Sequence, residues 1–132
     1  MHFYIILKIN KICIKVLREK KDREKQMKVY SDKIIIENSY FNVVDTLQCG
    51  QVFSYKILDN GTIFVASGRL FAKIVVDEKN TTIYSSDIDY FYNFFDLSTD
   101  YESIKKELCK IYPKFDKYLF YGKNLRILRQ DP

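Results

Sequence analysis

The sequence has no tryptophan, one histidine (His2) and three cysteines, Cys13, Cys49 and Cys109. Three widely separated thiols with no CxxC pair make neither a disulfide framework nor a metal site, and a lone histidine adds no ligand cluster. Zinc and iron–sulfur centres are therefore not expected, no other metal or cofactor is indicated, and the thiols are expected to be reduced. Two prolines and four glycines in 132 residues argue against a disordered or low-complexity chain. No internal repeat is present. The apolar run Phe3–Leu7 is ended by Lys8, short of what a secretory signal needs. No stretch approaches the roughly 20 apolar residues that cross a bilayer. The expected location is the cytoplasm, with no membrane partner.

Apolar residues make up 47% of the chain and aromatics 16%, all of the latter from 11 tyrosines and 10 phenylalanines. That is enough to fill the core of one domain. The net charge of +5 is unevenly placed. Residues 1–28 hold nine Lys or Arg and three Asp or Glu, a net of +6, whereas residues 29–132 hold thirteen and fourteen, a net of −1. The basicity lies in the amino-terminal segment, so the high isoelectric point is weak evidence for phosphate binding by the folded part. Residues 1–27 are read as a basic extension, either a solvated helix or frayed tail, or a DNA-contacting arm. Met27 is an alternative natural start.

From residue 28 the pattern is that of a compact domain. Lys33–Glu37, with Ile34-Ile35-Ile36, reads as a strand. Phe41–Leu47 has apolar residues at 41, 43, 44 and 47, which suits one or two helical turns broken by Gly50. Val52–Leu58, Thr62–Ala66, Arg69–Val76 and Thr82–Ser85 read as strands of a meander. Their turns are Asp59-Asn60-Gly61, expected as a type I′ hairpin, then Ser67-Gly68 and Glu78–Thr81. Ser86 or Asp87 can cap a helix through about Phe95. Asp100 can cap Tyr101–Ile111, whose apolar positions 101, 104, 108 and 111 form one face. Lys114–Tyr121 reads as a further short helix, and Leu125–Leu128 as a linking segment. The expected class is α+β, an antiparallel sheet with helices packed on one face.

Two motifs take the reading further. Phe41-Asn42-Val43-Val44-Asp45-Thr46-Leu47-Gln48-Cys49-Gly50-Gln51-Val52-Phe53 resembles the segment of 8-oxoguanine DNA glycosylases in which a short helix ends in Gly-Gln-x-Phe and enters a strand. Gly122-Lys123-Asn124-Leu125-Arg126-Ile127-Leu128-Arg129-Gln130-Asp131-Pro132 resembles the family's Gly-x-Arg-x-Leu-Arg-Gln-Asp-Pro junction, which leads into the first helix of its helix-hairpin-helix domain. Between them, Asp89–Leu97 is similar to the family's Tyr-Phe-x-Leu-Asp region. The resemblance spans residues 28–132. It implies a twisted antiparallel sheet like one half of the TATA-binding protein, with residues 129–132 beginning a helix-hairpin-helix domain. In that helix Asp131 is the N-cap and Pro132 the first residue. The expectation is therefore a chain that ends before the catalytic domain.

In such a family the catalytic Lys and its supporting Asp lie in the helix-hairpin-helix domain, so this chain is expected to be inactive alone. Its implied task is to help bind duplex DNA containing 8-oxoguanine and to read the lesion, in a protein that is a monomer when complete. The resemblance places a lesion-reading backbone carbonyl at Gly50, with weaker roles for Gln51 and Phe53. Helix capping alone would also account for Gly50, and core packing for Phe53. Ser54-Tyr55 departs from the family's Arg-Trp, which puts a nearby ion pair or phosphate contact in doubt. Cys49 is expected to be a small buried thiol. Arg129 is expected either to pair with Asp131 or a carboxylate of the following domain, or to be solvent-exposed. Phe115, Tyr118, Leu119, Phe120, Ile127 and Leu128 are candidates for the face that meets that domain. Two other readings stay open: a stand-alone DNA- or protein-binding module using the outer sheet face, and a piece of an alkylated-base glycosylase.

Overall fold

The computed structural model describes residues 26–49, 54–119 and 124–130. Six strands form an open antiparallel sheet: β1 Met27–Val29, β2 Lys33–Glu37, β3 Tyr55–Ile57, β4 Ile63–Ser67, β5 Leu70–Val76 and β6 Asn80–Ser85, in the order β1-β2-β6-β5-β4-β3. Between β2 and β3 lies helix α1, Val43–Gln48, and after β6 come α2, Ile88–Phe94, and α3, Tyr101–Ile111. A 3-10 turn at Pro113–Phe115 and the short α4, Asp116–Leu119, complete the helical part.

Alternation of side chains along each strand explains the layers. Ile34, Ile36, Ile63, Val65, Ala72, Ile74 and Ile83 are buried on the face toward α1 and α2. They meet Phe41, Phe91, Phe94 and Phe95, whose rings pack with centroids 5.0–6.4 Å apart. The tilted and edge-on angles among most of these rings suit the aromatic quadrupole. The expected α+β class and one-sided helix layer hold for α1 and α2.

Side-chain caps set the helix starts. Asn42 Oδ1 accepts the Asp45 N–H at 3.0 Å while Asn42 Nδ2 donates to the Asp45 carboxylate at 2.8 Å, a reciprocal cap. Asp87 and Asp100 cap α2 and α3 through the N–H groups of Tyr90 and Ser103. The residue before a proline is driven to extended backbone, and Tyr112 before Pro113 has φ −130° and ψ 91°, ending α3.

Four details differ from the sequence expectation. The Asp59-Asn60-Gly61 turn is a three-residue loop. Leu58 bonds both Gly61 N–H and Thr62 O, and only Gly61 has positive φ, +83°. A type I′ turn would need positive φ at both central residues, whereas a type I turn closed by an αL glycine needs one. β1 extends the sheet through Met27↔Ile36, a strand that the charged run before it conceals. α3 carries the expected apolar face, yet none of its residues is buried: Ile104 is 47% and Ile111 66% exposed. Of the helix expected at 114–121, the described residues form a 3-10 turn at Pro113–Phe115 followed by α-helix at Asp116–Leu119, and residues 120 and 121 lie outside the described residues. Among the described residues no helix is long and apolar enough to cross a membrane.

Candidate functional site

α1 ends at the protein surface. Thr46 and Leu47 are fully buried, but Gln48 and Cys49 are exposed, and the Cys49 N–H closes the helix on Asp45 O at 3.1 Å. The expectation of a buried Cys49 is thus corrected: the last turn rotates its side chain outward, where Sγ donates to Thr46 O at 3.0 Å. Gly50, Gln51 and Phe53, next along the chain, lie outside the described residues, as do Asp131 and Pro132.

Residues 124–130 run as an extended strap across the helices. Asn124, in the αL region that asparagine tolerates, accepts the Asn42 N–H at 2.9 Å. The Arg126 N–H reaches Thr46 Oγ1 at 3.3 Å, although the two residues are 80 apart in sequence. Ile127 N–H donates to the Tyr101 hydroxyl at 3.1 Å, and Arg129 N–H to Phe94 O at 2.9 Å. The strap is therefore tied first to α1 and then to the α2–α3 region. Leu128 is buried in the core, which removes it from the expected docking patch, while Ile127 is 65% exposed.

Arg126 is the hub of this arrangement. Its side chain is 1% exposed and its guanidinium lies between two rings, 4.4 Å from the Tyr40 centroid and 4.6 Å from that of Tyr101. Nη1 donates to Asp96 O at 2.7 Å and to Thr99 O at 3.2 Å. A planar cation stacks on both ring faces while its edge meets carbonyls in its plane, a task that lysine does not match.

Asp96 organises the other side. It sits at φ +51°, a region that short polar residues reach more readily than others. Oδ1 accepts the Thr99 hydroxyl at 2.7 Å and the Arg129 Nε–H at 2.8 Å, and Oδ2 accepts the Tyr101 hydroxyl at 2.7 Å. Burial alone would raise the carboxyl pKa. Hydrogen bonds from Tyr101 and Thr99, with the Arg129 cation, outweigh it and hold the group below its ordinary range. Tyr101 moves the other way, raised by burial and by its bond to the Asp96 carboxylate. Arg129 thus pairs with Asp96, a partner that the sequence does not indicate.

Beside the start of α1 lies an open cleft of about 180 Å³, lined by Asn38, Phe41, Val44 and Thr81 among others. It is at the opposite end of the helix from Cys49. Below the strap, the space near Tyr40, Tyr101 and Arg126 is about 10 Å³, room for a water at most.

Residues 33–132 match the family model of the 8-oxoguanine DNA glycosylase N-terminal domain. The chain belongs to that family. Among solved structures, the Clostridium acetobutylicum 8-oxoguanine glycosylase/lyase bound to double-stranded DNA with cytosine opposite 8-oxoG is 31% identical, with a TM-score of 0.64. The match covers 80% of this chain and 38% of that one. The apo form of the same enzyme gives 30% identity, a TM-score of 0.64, and coverage of 81% and 39%. MBOgg1 in complex with a low-affinity DNA ligand gives 25% identity, a TM-score of 0.63, and coverage of 80% and 38%. The chain thus spans about two fifths of the length of these neighbours. No curated protein matches it.

Within this 8-oxoguanine DNA glycosylase N-terminal domain, the structure brings the two sequence motifs together through Thr46 and Arg126. Sequence reasoning passed over the hub itself. An isolated arginine between Leu125 and Ile127 reads as exposed, and Asp96, Tyr40 and Tyr101 carry no local signal of a shared contact. The one available clue was compositional: an arginine in an otherwise apolar Leu-Arg-Ile-Leu run must either face water or be paired.

Proposed function

We propose that this chain is the lesion-reading part of a bifunctional 8-oxoguanine DNA glycosylase/AP lyase acting in cytoplasmic base excision repair. The complete protein is a monomer that binds duplex DNA containing 8-oxoguanine. To reach the glycosidic bond, such an enzyme must take the base out of the stack. Guanine N7 is a hydrogen-bond acceptor, whereas 8-oxoguanine carries a proton there. The Gly50 carbonyl, aimed at N7, attracts the damaged base and repels the normal one, and glycine lets the backbone approach without a Cβ in the way. Gln51 and Phe53 are given weaker roles, Gln51 as a hydrogen-bonding partner for backbone near the pocket and Phe53 as a core residue where the following strand begins.

The observation that carries the reading is the bond from Arg126 N–H to Thr46 Oγ1. It holds the junction motif against the helix whose exposed end leads to Gly50, which supports a shared task for the two motifs. Arg129 and Gln130 end the strap at the domain junction, and Asp131 as N-cap with Pro132 as first residue then opens the first helix of a helix-hairpin-helix domain, which supplies the catalytic Lys and Asp. The bare faces of Ile111, Tyr112, Tyr118 and Ile127, 64–71% exposed, are the surface that this domain covers. The 132-residue chain is inactive by itself.

Borohydride trapping on duplex DNA with 8-oxoguanine opposite cytosine tests this. The isolated chain gives no covalent adduct. Joined at Pro132 to the remainder of the Clostridium acetobutylicum enzyme, it gives one. An adduct from the isolated chain, or a folded fusion that traps nothing, contradicts the assignment.

A further inference from the structure

The side of the sheet that faces away from α1 and α2 is open. Across it the strand register sets Lys56 opposite Phe64, Phe64 opposite Lys73, Lys73 opposite Tyr84, and Tyr84 opposite Lys33. Directly opposed residues share a face, so one row running from β3 to β2 alternates basic and aromatic side chains. Strands lie about 4.8 Å apart, which puts successive lysines roughly 10 Å apart with a ring between each pair. Phe64 is 42% and Tyr84 41% exposed, and in the next row Phe71 is 66% exposed. Lys56 and Lys73 are exposed and Lys33 is half-buried.

The near-neutral balance of residues 29–132 conceals this segregation. Among the described residues of the six strands, Glu37 is the one acidic side chain, opposite Asn80 and two rows from the lysine row. Of the other carboxylates, Asp87 and Asp100 cap helices, Asp77 holds the β5–β6 turn and Asp96 pairs with Arg129, whereas Asp32 and Asp59 lie in the turns between β1 and β2 and between β3 and β4.

We propose that this face binds single-stranded nucleic acid. Unpaired bases stack on Phe64, Tyr84 and Phe71, and the phosphates pair with Lys33, Lys56 and Lys73. A polyanion with exposed π-faces complements both halves of the row. A duplex offers the charge but keeps its bases stacked inside. The chain's own residues 1–25 carry eight basic and three acidic residues, a net of +5, and are repelled by a basic face. A second copy of the same face would set lysines against lysines. The site is on the other side of the sheet from α1 and the strap, so it stands or falls independently of lesion reading.

The test is fluorescence anisotropy of the full 132-residue chain with labelled 12-mers of deoxythymidine and of uridine, and with a 12-base-pair duplex. Either single strand binds more tightly than the duplex, and which of the two is preferred names the source. Phe64→Ala and Tyr84→Ala each weaken binding about tenfold, whereas Phe64→Tyr retains it. Three phosphate contacts give a log–log salt slope of about −2, which Lys73→Ala reduces by about 0.7. Circular dichroism confirms that each variant is folded, as solvent-facing substitutions permit. The proposal is overturned by no binding, by equal or tighter duplex binding, or by binding that these variants leave unchanged, as attraction to the basic amino-terminal segment would give. Self-association abolished by Phe71→Asp would also overturn it, by assigning the face to a second copy.

Discussion

Replacing Arg126 tests how the strap is held. Arg126→Ala removes two hydrogen bonds from a cation to the carbonyls of Asp96 and Thr99, each of the kind that contributes about 1.5–3 kcal/mol. It also removes stacking on Tyr40 and Tyr101, about 1–2 kcal/mol for a desolvated pair. These contributions are not additive, and the carbonyls can recover some water as the site relaxes. The expected loss is about 4 kcal/mol, within the range for breaking a buried polar network. In urea unfolding monitored by circular dichroism, that lowers the midpoint by about 2 M for a slope near 2 kcal/mol per M. Arg126→Lys keeps the charge but loses the planar fork and is expected to lose about 2 kcal/mol. Arg126→Met keeps volume while leaving both carbonyls unpaired, and falls between Lys and Ala. A Met variant as stable as the parent would refute the reasoning, since it would make the hub simple space filling.

Asp96→Asn retains a residue that tolerates φ +51° but removes the charge from the bonds to Thr99, Tyr101 and Arg129, at a cost of about 2 kcal/mol near neutral pH. The folded-state pKa of Asp96 lies below its ordinary value of 3.8, so its contribution is present above that value and is lost as pH falls through the folded pKa. Unfolding free energy measured from neutral pH downward should therefore fall more steeply below 3.8 for the parent than for Asp96→Asn. Equal pH dependence would remove the carboxylate from the hub. The bare Ile111, Tyr112 and Tyr118 faces should make the chain associate at high concentration, and Ile111→Lys with Tyr118→Lys should reduce this in light scattering. A clean monomer of the parent at the same concentration would count against a docking surface there.

Most of the sheet was legible because its strands are bounded by turn residues and keep one apolar face. Ile34, Ile36, Ile74 and Ile83 are buried, as a two-residue period requires. α2 and α3 were legible from Asp87 and Asp100, whose side chains do cap them. Residue type and spacing do not reveal partners distant in the chain. The Arg126–Tyr40–Tyr101 stack joins residues 25 to 86 apart in the chain, and burial of a cation comes only from that tertiary contact. α3 illustrates the converse: its periodicity correctly gave an amphipathic helix, but nothing local told whether the apolar side meets this domain's own core. The lysine–aromatic row was hidden for a related reason. Lys56, Lys73 and Lys33 are scattered in sequence and become neighbours only through strand register.

The most direct measurement of the central claim is excision selectivity for 8-oxoguanine over guanine, opposite cytosine, by this chain joined to a helix-hairpin-helix catalytic domain, with and without Gly50→Ala. On the proposed role, a Cβ at position 50 would hold the base away from the carbonyl, and losing that hydrogen bond with its lone-pair repulsion would be worth about 1–3 kcal/mol. Selectivity should fall roughly 5- to 150-fold while the fusion stays folded. Unchanged selectivity in a folded Gly50→Ala fusion would contradict the role given to that peptide oxygen.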